Sequence, residues 1–247
     1  MKIYHIAYEP TFRSLDIHFW TKCNLSCQAC YTHYEKRDFG LLDDPIAGIT
    51  QRTREKPPKR FLTLAEVISR IEDLEIERAI FMGTEPTLDP EMPQLAQALH
   101  HHFKCYNIIL TNGLRAFDLT HIDEVIFSIK ALSDKLHRDY TGRSNKNIVK
   151  NFIAIYKSGK KLQAETVLIP DYIDKYEIER IAEFIADIEP NIPLRIDAYF
   201  PVGDNPWRAA TADEVEAAAK LATKSLNKVN CLTLEMKRIG EKSVRIF

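Results

Sequence analysis

Short apolar runs alternate with stretches of helical periodicity from about residue 63 to residue 225. That is the pattern of βα units around a parallel sheet rather than of a sandwich or a helical bundle. Residues 15–20 (LDIHFW) predict a first strand, and a cysteine-bearing segment leaves its C-terminal end. Thr63 followed by Glu66 has capping-box spacing and predicts a helix through Leu74. Residues 79–82 predict a second strand and 93–102 its helix. Residues 106–110 (YNIIL) predict a third strand, ending in the turn signal Thr111-Asn112-Gly113. A fourth follows at 125–129 (VIFSI), then helical pattern to about Lys157, interrupted near Thr141-Gly142. Residues 162–169 predict a fifth strand, 176–188 a helix with Ile178, Ile181, Ile185 and Ile188 on one face, 194–199 a sixth strand and 213–223 an Ala-rich helix.

Six such units are too few to close an eight-stranded barrel. The expected architecture is α/β, a partial (β/α)6 barrel open on one side, within a single domain over 1–247 whose core runs from about 15 to 225. Residues 229–247 predict one or two further strands, a C-terminal β extension read as a hairpin at the barrel edge. Residues 35–60 form a polar insertion containing Pro45, Pro57 and Pro58, in which Arg52, Arg54, Lys56, Lys59 and Arg60 cluster around the single acid Glu55. A loop of that length is either a solvated surface loop or a contact for an anionic substrate or partner protein.

Composition narrows the class. Over 247 residues, 34 basic and 35 acidic side chains leave a formal charge of -1, so no global field attracts nucleic acid or an anionic membrane. No run approaches a membrane-spanning length, and residues 1–20 lack the apolar core of a secretory signal, so a cytoplasmic location is expected. Three of the five cysteines lie within eight residues, which suggests a metal site rather than disulfides.

Cys23, Cys27 and Cys30 have the spacing C-x3-C-x2-C. Clustered thiolates repel one another unless a metal absorbs their charge. Three of them can hold three irons of a four-iron cluster and leave the fourth open to a small chelating molecule. The alternative is zinc, closed by His33 three residues after Cys30. Other uncommon residues also follow predicted strands: Gly83-Thr84-Glu85-Pro86 after the second, Asn112 after the third and Lys130 after the fourth. They should converge on the rim where active sites of such barrels lie.

These motifs together, C-x3-C-x2-C, GTEPTL and TNG, resemble the radical S-adenosylmethionine (SAM) superfamily. The stretch from IKALSDKLHRDYTG to IPLRIDAYFP is similar to its activating-enzyme-like branch, which includes pyruvate formate-lyase activase. The resemblance spans about residues 15–205. It implies that Cys23, Cys27 and Cys30 ligate a [4Fe-4S] cluster whose open iron takes the amino and carboxylate groups of SAM. It implies that Gly83, Thr84 and Glu85 lie near the methionine amino group, Asn112 near ribose or methionine, Lys130 near the SAM carboxylate, and Val167 and Ile169 near adenine.

The departures from the family pattern are specific. Ala29 replaces the usual aromatic residue before the third cysteine, with Tyr31 as a substitute. Thr84 replaces a glycine, Ser128 the aspartate of D-x-K, and Phe200 a histidine. Each candidate also has a plain structural reading. Glu85 would be a loop acid, Asn112 a turn residue and Lys130 a surface lysine. Arg195 and Asp197 alternate on the sixth strand and either face the barrel interior or form a structural ion pair. His100, His101 and His102 suit the C-terminal end of a helix, at the surface, and Cys105 and Cys231 are small hydrophobes. The expected activity is reductive cleavage of SAM to a 5'-deoxyadenosyl radical that abstracts hydrogen from a protein glycine, a peptide or a small metabolite. The expected partners are a flavodoxin- or ferredoxin-like one-electron donor and, where the substrate is a protein, that protein. The rival is a non-enzymatic zinc- or cluster-binding scaffold.

Overall fold

Alternation within each strand sorts its side chains onto two faces, and the burial of those faces sets the architecture. In the computed structural model, which describes residues 1–43 and 54–247, the strands are β1 (Ile3–Glu9), β2 (Ser14–Phe19), β3 (Arg78–Gly83), β4 (Tyr106–Thr111), β5 (Glu124–Ser128), β6 (Lys161–Leu168), β7 (Leu194–Ala198), β8 (Val229–Leu232) and β9 (Val244–Arg245). They form one open sheet in the order β8-β7-β6-β5-β4-β3-β2-β1-β9. The helices are α1 (Leu64–Ile71), α2 (Met92–Ala98, continued by a π-helical turn, Leu99–Phe103), α3 (Asp134–Thr141), α4 (Lys146–Lys157), α5 (Lys175–Ala186) and α6 (Ala212–Ala222). Neighbouring strands from β2 to β8 run parallel, as βα crossovers require. Pro45 and Arg52 of the polar insertion lie outside the described residues.

Ile17, Phe81, Ile109 and Val125 lie in register and are completely buried, in one core with Ile71, Leu95, Phe152 and Ile181 of the helices. Phe127 meets Phe152 of α4 edge to face at 5.1 Å. Each of these phenyl groups stabilises the fold by about 2 kcal/mol through burial. The opposite, inner face carries Ile80, Met82, Leu110, Ile126, Gln163, Glu165, Val167, Arg195 and Asp197, all partly accessible. The partial-barrel expectation holds, with a sheet that does not close.

Three expectations are corrected. Residues 3–9 form a strand antiparallel to β2, outside the core boundary at 15. The C-terminal segment is not a hairpin: β8 extends the sheet beside β7, and β9 pairs with β1 at the other edge. Each half of the segment satisfies a different sheet edge, whose backbone groups would otherwise lack partners. His100 is not a free surface group, because its Nε2 lies 2.7 Å from Asp123 and its ring packs edge-on against His121.

The C-terminal strand ends are braced from strand to strand. The backbone at Gly83 has φ +113, and a Cβ there would lie 2.3 Å from the Phe19 carbonyl oxygen. Only glycine lets β3 approach β2 so closely. The amide of Thr21 donates to Thr84 Oγ1 at 2.9 Å, and the Thr21 hydroxyl donates to the Glu85 carbonyl. The buried Glu85 carboxylate accepts from Thr87 Oγ1 (2.6 Å), Thr111 Oγ1 (2.8 Å) and the Asn112 amide (2.8 Å), tying β3 to β4.

A second polar group lies on the inner face beside β1. His18 Nε2 lies 2.8 Å from Asp38, and His5 faces His18 with ring centroids 5.2 Å apart. Burial, and then the nearby Asp38 charge, push the Asp16 carboxyl up to about 8, while burial and His18 lower His5 to about 4. An acid with a raised folded-state pKa stays protonated in the fold where the unfolded chain ionises, so its contribution to stability falls as pH rises from about 4 to 8. Asp16→Asn should therefore gain stability over the parent at pH 8, with the difference shrinking toward pH 4, as followed by urea unfolding. Glu85→Ala leaves the Thr111 hydroxyl and the Asn112 amide without a buried acceptor, and urea unfolding should show a loss of about 2–4 kcal/mol.

Candidate active site

The cysteine loop leaves β2 and crosses the C-terminal rim of the sheet, held on both sides. On one side, Asn112 Nδ2 donates to Asn24 Oδ1 at 2.8 Å and approaches Cys23 Sγ at 3.6 Å, while its Oδ1 accepts from the Leu114 amide. On the other side, the amides of Ser26 and Gln28 donate to the carbonyls of Thr141 and Tyr140 at 2.9 and 3.1 Å. Those carbonyls are free because α3 ends at Gly142, whose left-handed conformation closes the helix. Asn205 Nδ2 donates to the Gln28 carbonyl at 3.0 Å, and Cys30 begins a single 3-10 turn, Tyr31–His33.

The three thiols are free and only partly accessible. Burial, with smaller contributions from Glu85 and Cys30 for Cys23 and from Cys30 and Cys23 for Cys27, pushes the Cys23 thiol up to about 11 and Cys27 up to about 12. The Lys130 ammonium acts on both in the opposite sense. Ligation by a cationic metal group displaces those protons and absorbs the charge. Lys130 follows β5 and makes no ion pair or hydrogen bond with any described residue, so a half-buried cation lies within electrostatic range of the cysteines and of Asp197 with its donors free.

The donor set fits a cluster better than a single ion. Among the described residues, no three His, Cys, Asp or Glu side chains converge closely enough to hold one metal ion. In a cubane each thiolate meets a different iron, so the sulfurs stand farther apart than around zinc. His33, the fourth ligand of the zinc alternative, packs its ring edge-on against Trp20 at 5.8 Å.

Below the cysteines, the inner face holds a charged network. Arg195 Nε and Nη2 donate to the two Asp197 oxygens at 2.8 and 3.0 Å, and Nη2 also reaches Glu165 at 2.6 Å. Ser128 Oγ donates to the other Glu165 oxygen. Ser128, Glu165 and Arg195 lie in one row across β5, β6 and β7, so their meeting follows from register. The Asp197 carboxyl is raised by burial, against the lowering effect of Arg195. Tyr31 packs against Phe39 at 4.9 Å and Phe200 at 6.1 Å, so Phe200, where the family often has histidine, belongs to an aromatic group beside the third cysteine.

The structure thus places Cys23, Cys27, Cys30, Tyr31, Gly83, Thr84, Glu85, Asn112, Ser128 and Lys130 at the C-terminal ends of β2 to β5 or in the segments that leave them, with Val167 and Asp197 on the inner face of β6 and β7. Ile169 is fully buried in the core. Sequence reasoning missed Glu165, Asn24, Thr21 and Phe39. Glu165 had a usable signal: a charged residue alternating with apolar ones in a predicted strand, as Arg195 and Asp197 do. Glu85 was identified, but its carboxylate is engaged within the protein, so the surface it leaves to a ligand is the Gly83–Thr84 backbone.

The model of the radical SAM superfamily matches residues 17–185. A Methanocaldococcus jannaschii protein provisionally named a glycyl-radical enzyme activating enzyme is 30% identical over 186 residues, covering 70% of this chain and 71% of that protein. A crystallised domain of pyruvate-formate lyase-activating enzyme from Bacteroides vulgatus superposes with a TM-score of 0.52 at 18% identity, over 63% of this chain and 98% of that domain. SuiB from Streptococcus suis, in its form bound to S-adenosylmethionine, superposes with a TM-score of 0.60 at 14% identity, over 85% of this chain but only 48% of SuiB. A further structure of SuiB holds its precursor peptide SuiA. With the cysteine loop, the parallel open sheet and the match over most of its length, the chain belongs to the radical SAM superfamily, whose members use a [4Fe-4S] cluster and SAM.

Proposed function

We propose that this chain, as one radical SAM domain, is an activating-enzyme-like enzyme that cleaves SAM reductively and takes hydrogen from a peptide or protein segment. The observation that carries the reading is the cysteine loop itself: three free, partly accessible thiols on the rim of an open sheet, with the Lys130 ammonium, unpaired among the described residues, near enough for its charge to act on Cys23 and Cys27. Cys23, Cys27 and Cys30 would hold a [4Fe-4S] cluster, which with SAM bound would supply one-electron reductive cleavage of the sulfonium to methionine and a 5'-deoxyadenosyl radical.

The chain's own residues bind, orient and exclude water. Lys130 supplies a charge-assisted hydrogen bond to the SAM carboxylate. The Gly83–Thr84 backbone, brought close by the glycine, lines the place of the methionine amino group. Asn112 holds Cys23 and Asn24 in position. Ser128, Asp197 and Val167 would line the inner face toward ribose and adenine, with Tyr31 closing the side that Ala29 leaves bare. The Arg195 guanidinium holds Glu165 and Asp197 together by ion pairs, and the aromatic group of Tyr31, Phe39 and Phe200 limits water at the reacting carbon.

A macromolecular substrate is favoured by the unclosed sheet, which leaves a lateral entrance to the inner face. It is supported by the name of the archaeal relative and by the peptide held by SuiB. Ser128 and Phe200 depart from the activase pattern, so the substrate class is set wider than a glycyl-radical enzyme.

Anaerobic reconstitution with iron and sulfide, then dithionite and SAM, should give a brown protein that forms 5'-deoxyadenosine. A colourless protein with one tightly bound zinc would overturn the reading. Cys27→Ala should lose both the cluster absorbance and the turnover. Lys130→Ala should keep the absorbance but bind SAM about 10- to 100-fold more weakly, the range of one charge-assisted hydrogen bond. Titration followed by the change in the cluster's EPR signal measures that loss.

A further inference from the structure

The histidines at the end of α2 take no part in the chemistry above, yet His100 belongs to an ordered polar group. The π-helical turn Leu99–Phe103 brings it to the loop between β4 and β5, at the N-terminal ends of the strands and so at the end of the sheet opposite the cysteine loop. There His100 Nδ1 lies 3.3 Å from His121 Nδ1, and His100 Nε2 lies 2.7 Å from Asp123 Oδ2. A carboxylate only accepts, so this contact puts the proton of a neutral His100 ring on Nε2 and leaves a lone pair on Nδ1, the nitrogen that meets His121. Asn107, wholly buried on β4, ties the group together. Its backbone amide donates to Asp123 Oδ2 at 2.7 Å, and its Nδ2 donates to the His121 carbonyl at 2.9 Å and to the Ala96 carbonyl, one turn before His100, at 2.8 Å.

We propose that His100 and His121 chelate one divalent transition-metal ion of the zinc class, with Asp123 orienting His100 from behind and water in the remaining positions. Two nitrogens bonded to one zinc ion at about 2.0–2.1 Å, with a tetrahedral angle between the bonds, stand about 3.3–3.4 Å apart. The observed separation of 3.3 Å matches that span without any movement of either ring. Imidazole nitrogen suits zinc, nickel or copper, whereas magnesium and calcium take oxygen ligands. A carboxylate hydrogen-bonded to the far nitrogen of a ligating histidine fixes its tautomer and raises its basicity, which is the part Asp123 plays.

The site is a pair and not a closed centre. Among the described residues no third His, Cys, Asp or Glu side chain comes close enough to complete it, and both rings are partly accessible, so the ion exchanges with solvent. Its effect is mechanical: it joins the end of α2 to the loop before β5, 21 residues along the chain, and stabilises the fold by mass action because the unfolded chain lacks the prepared pair. At the N-terminal face of such a sheet a stabilising role is the expected one. The alternative, a single hydrogen bond between the two imidazoles, predicts no response to zinc. The proposal is independent of the cluster reading of Cys23, Cys27 and Cys30.

The probe is Zn2+ itself. To keep the cysteine loop from competing, calorimetric titration uses the full, untagged chain carrying Cys23→Ala/Cys27→Ala/Cys30→Ala, and thermal unfolding with and without Zn2+ uses the chain reconstituted with iron and sulfide. One ion should bind per chain. Affinity should fall at least tenfold in His121→Ala and in His121→Gln, which keeps a polar side chain there, and about 10- to 100-fold in Asp123→Asn. It should stay within twofold in His102→Ala, a control from the same helix end. Zn2+ should raise the Tm of the reconstituted chain and of His102→Ala, and leave that of either His121 variant unmoved. No zinc bound by the cysteine-free chain would overturn the proposal, as would a fall of less than tenfold in the His121 variants or an equal rise in their Tm. An unchanged affinity in Asp123→Asn would overturn the orienting role of that carboxylate.

Discussion

A loop that carries three thiols for the proposed cluster has to be rigid without being enclosed, and the rest of this structure answers that constraint. Cys23 and Cys27 are costly to ionise where they lie, because burial and the neighbouring thiols hold their protons on. A flexible loop would relieve the repulsion by spreading them apart. Here the strand ends prevent it. Asn112 grips the start of the loop, the last carbonyls of α3 grip its middle, and Asn205 holds the carbonyl of Gln28. Each contact is a hydrogen bond to a backbone group or to a short side chain, so the loop is fixed while its sulfurs remain accessible.

The braces act as a chain. Thr84 contacts Thr21 just before the first cysteine, Glu85 joins the ends of β3 and β4, and Asn112 passes the connection back to Asn24. A buried carboxylate with several donors is well compensated, although burial still raises it. Thr84, a departure from the family's second glycine, gains a role here, since its hydroxyl accepts the Thr21 amide that glycine would leave without this partner.

The inner face is divided chemically. Toward β3 and β4 it is apolar, with Ile80, Met82 and Leu110, and toward β6 and β7 it is charged, with Glu165, Arg195 and Asp197. Arg195 carries two carboxylates, so the trio keeps one net negative charge, which the Lys130 charge, felt at Asp197, offsets. A neutral, partly apolar site with an open side suits a reaction that must exclude water yet admit a large partner.

Much of this was legible in the chain itself, because periodicity is a local property. Alternation and helical spacing located β2 to β7 and their helices, glycine and asparagine marked the turn after β4, and the cysteine spacing marked the site with its chemistry. Each signal lies within a few residues of what it reports. What only the tertiary structure decided involves partners distant in sequence. Strand β1 lacks a strong pattern of its own and is a strand because β2 and β9 flank it, while β8 and β9 separate because two sheet edges need covering. Glu165 meets Arg195 and Ser128 because parallel register aligns one row across three strands, and Glu85 became a brace because Thr111 and Asn112 came within its reach. The face on which a residue lies is written in its neighbours along the chain; the group it meets there depends on pairing between segments tens of residues apart, which no local pattern encodes.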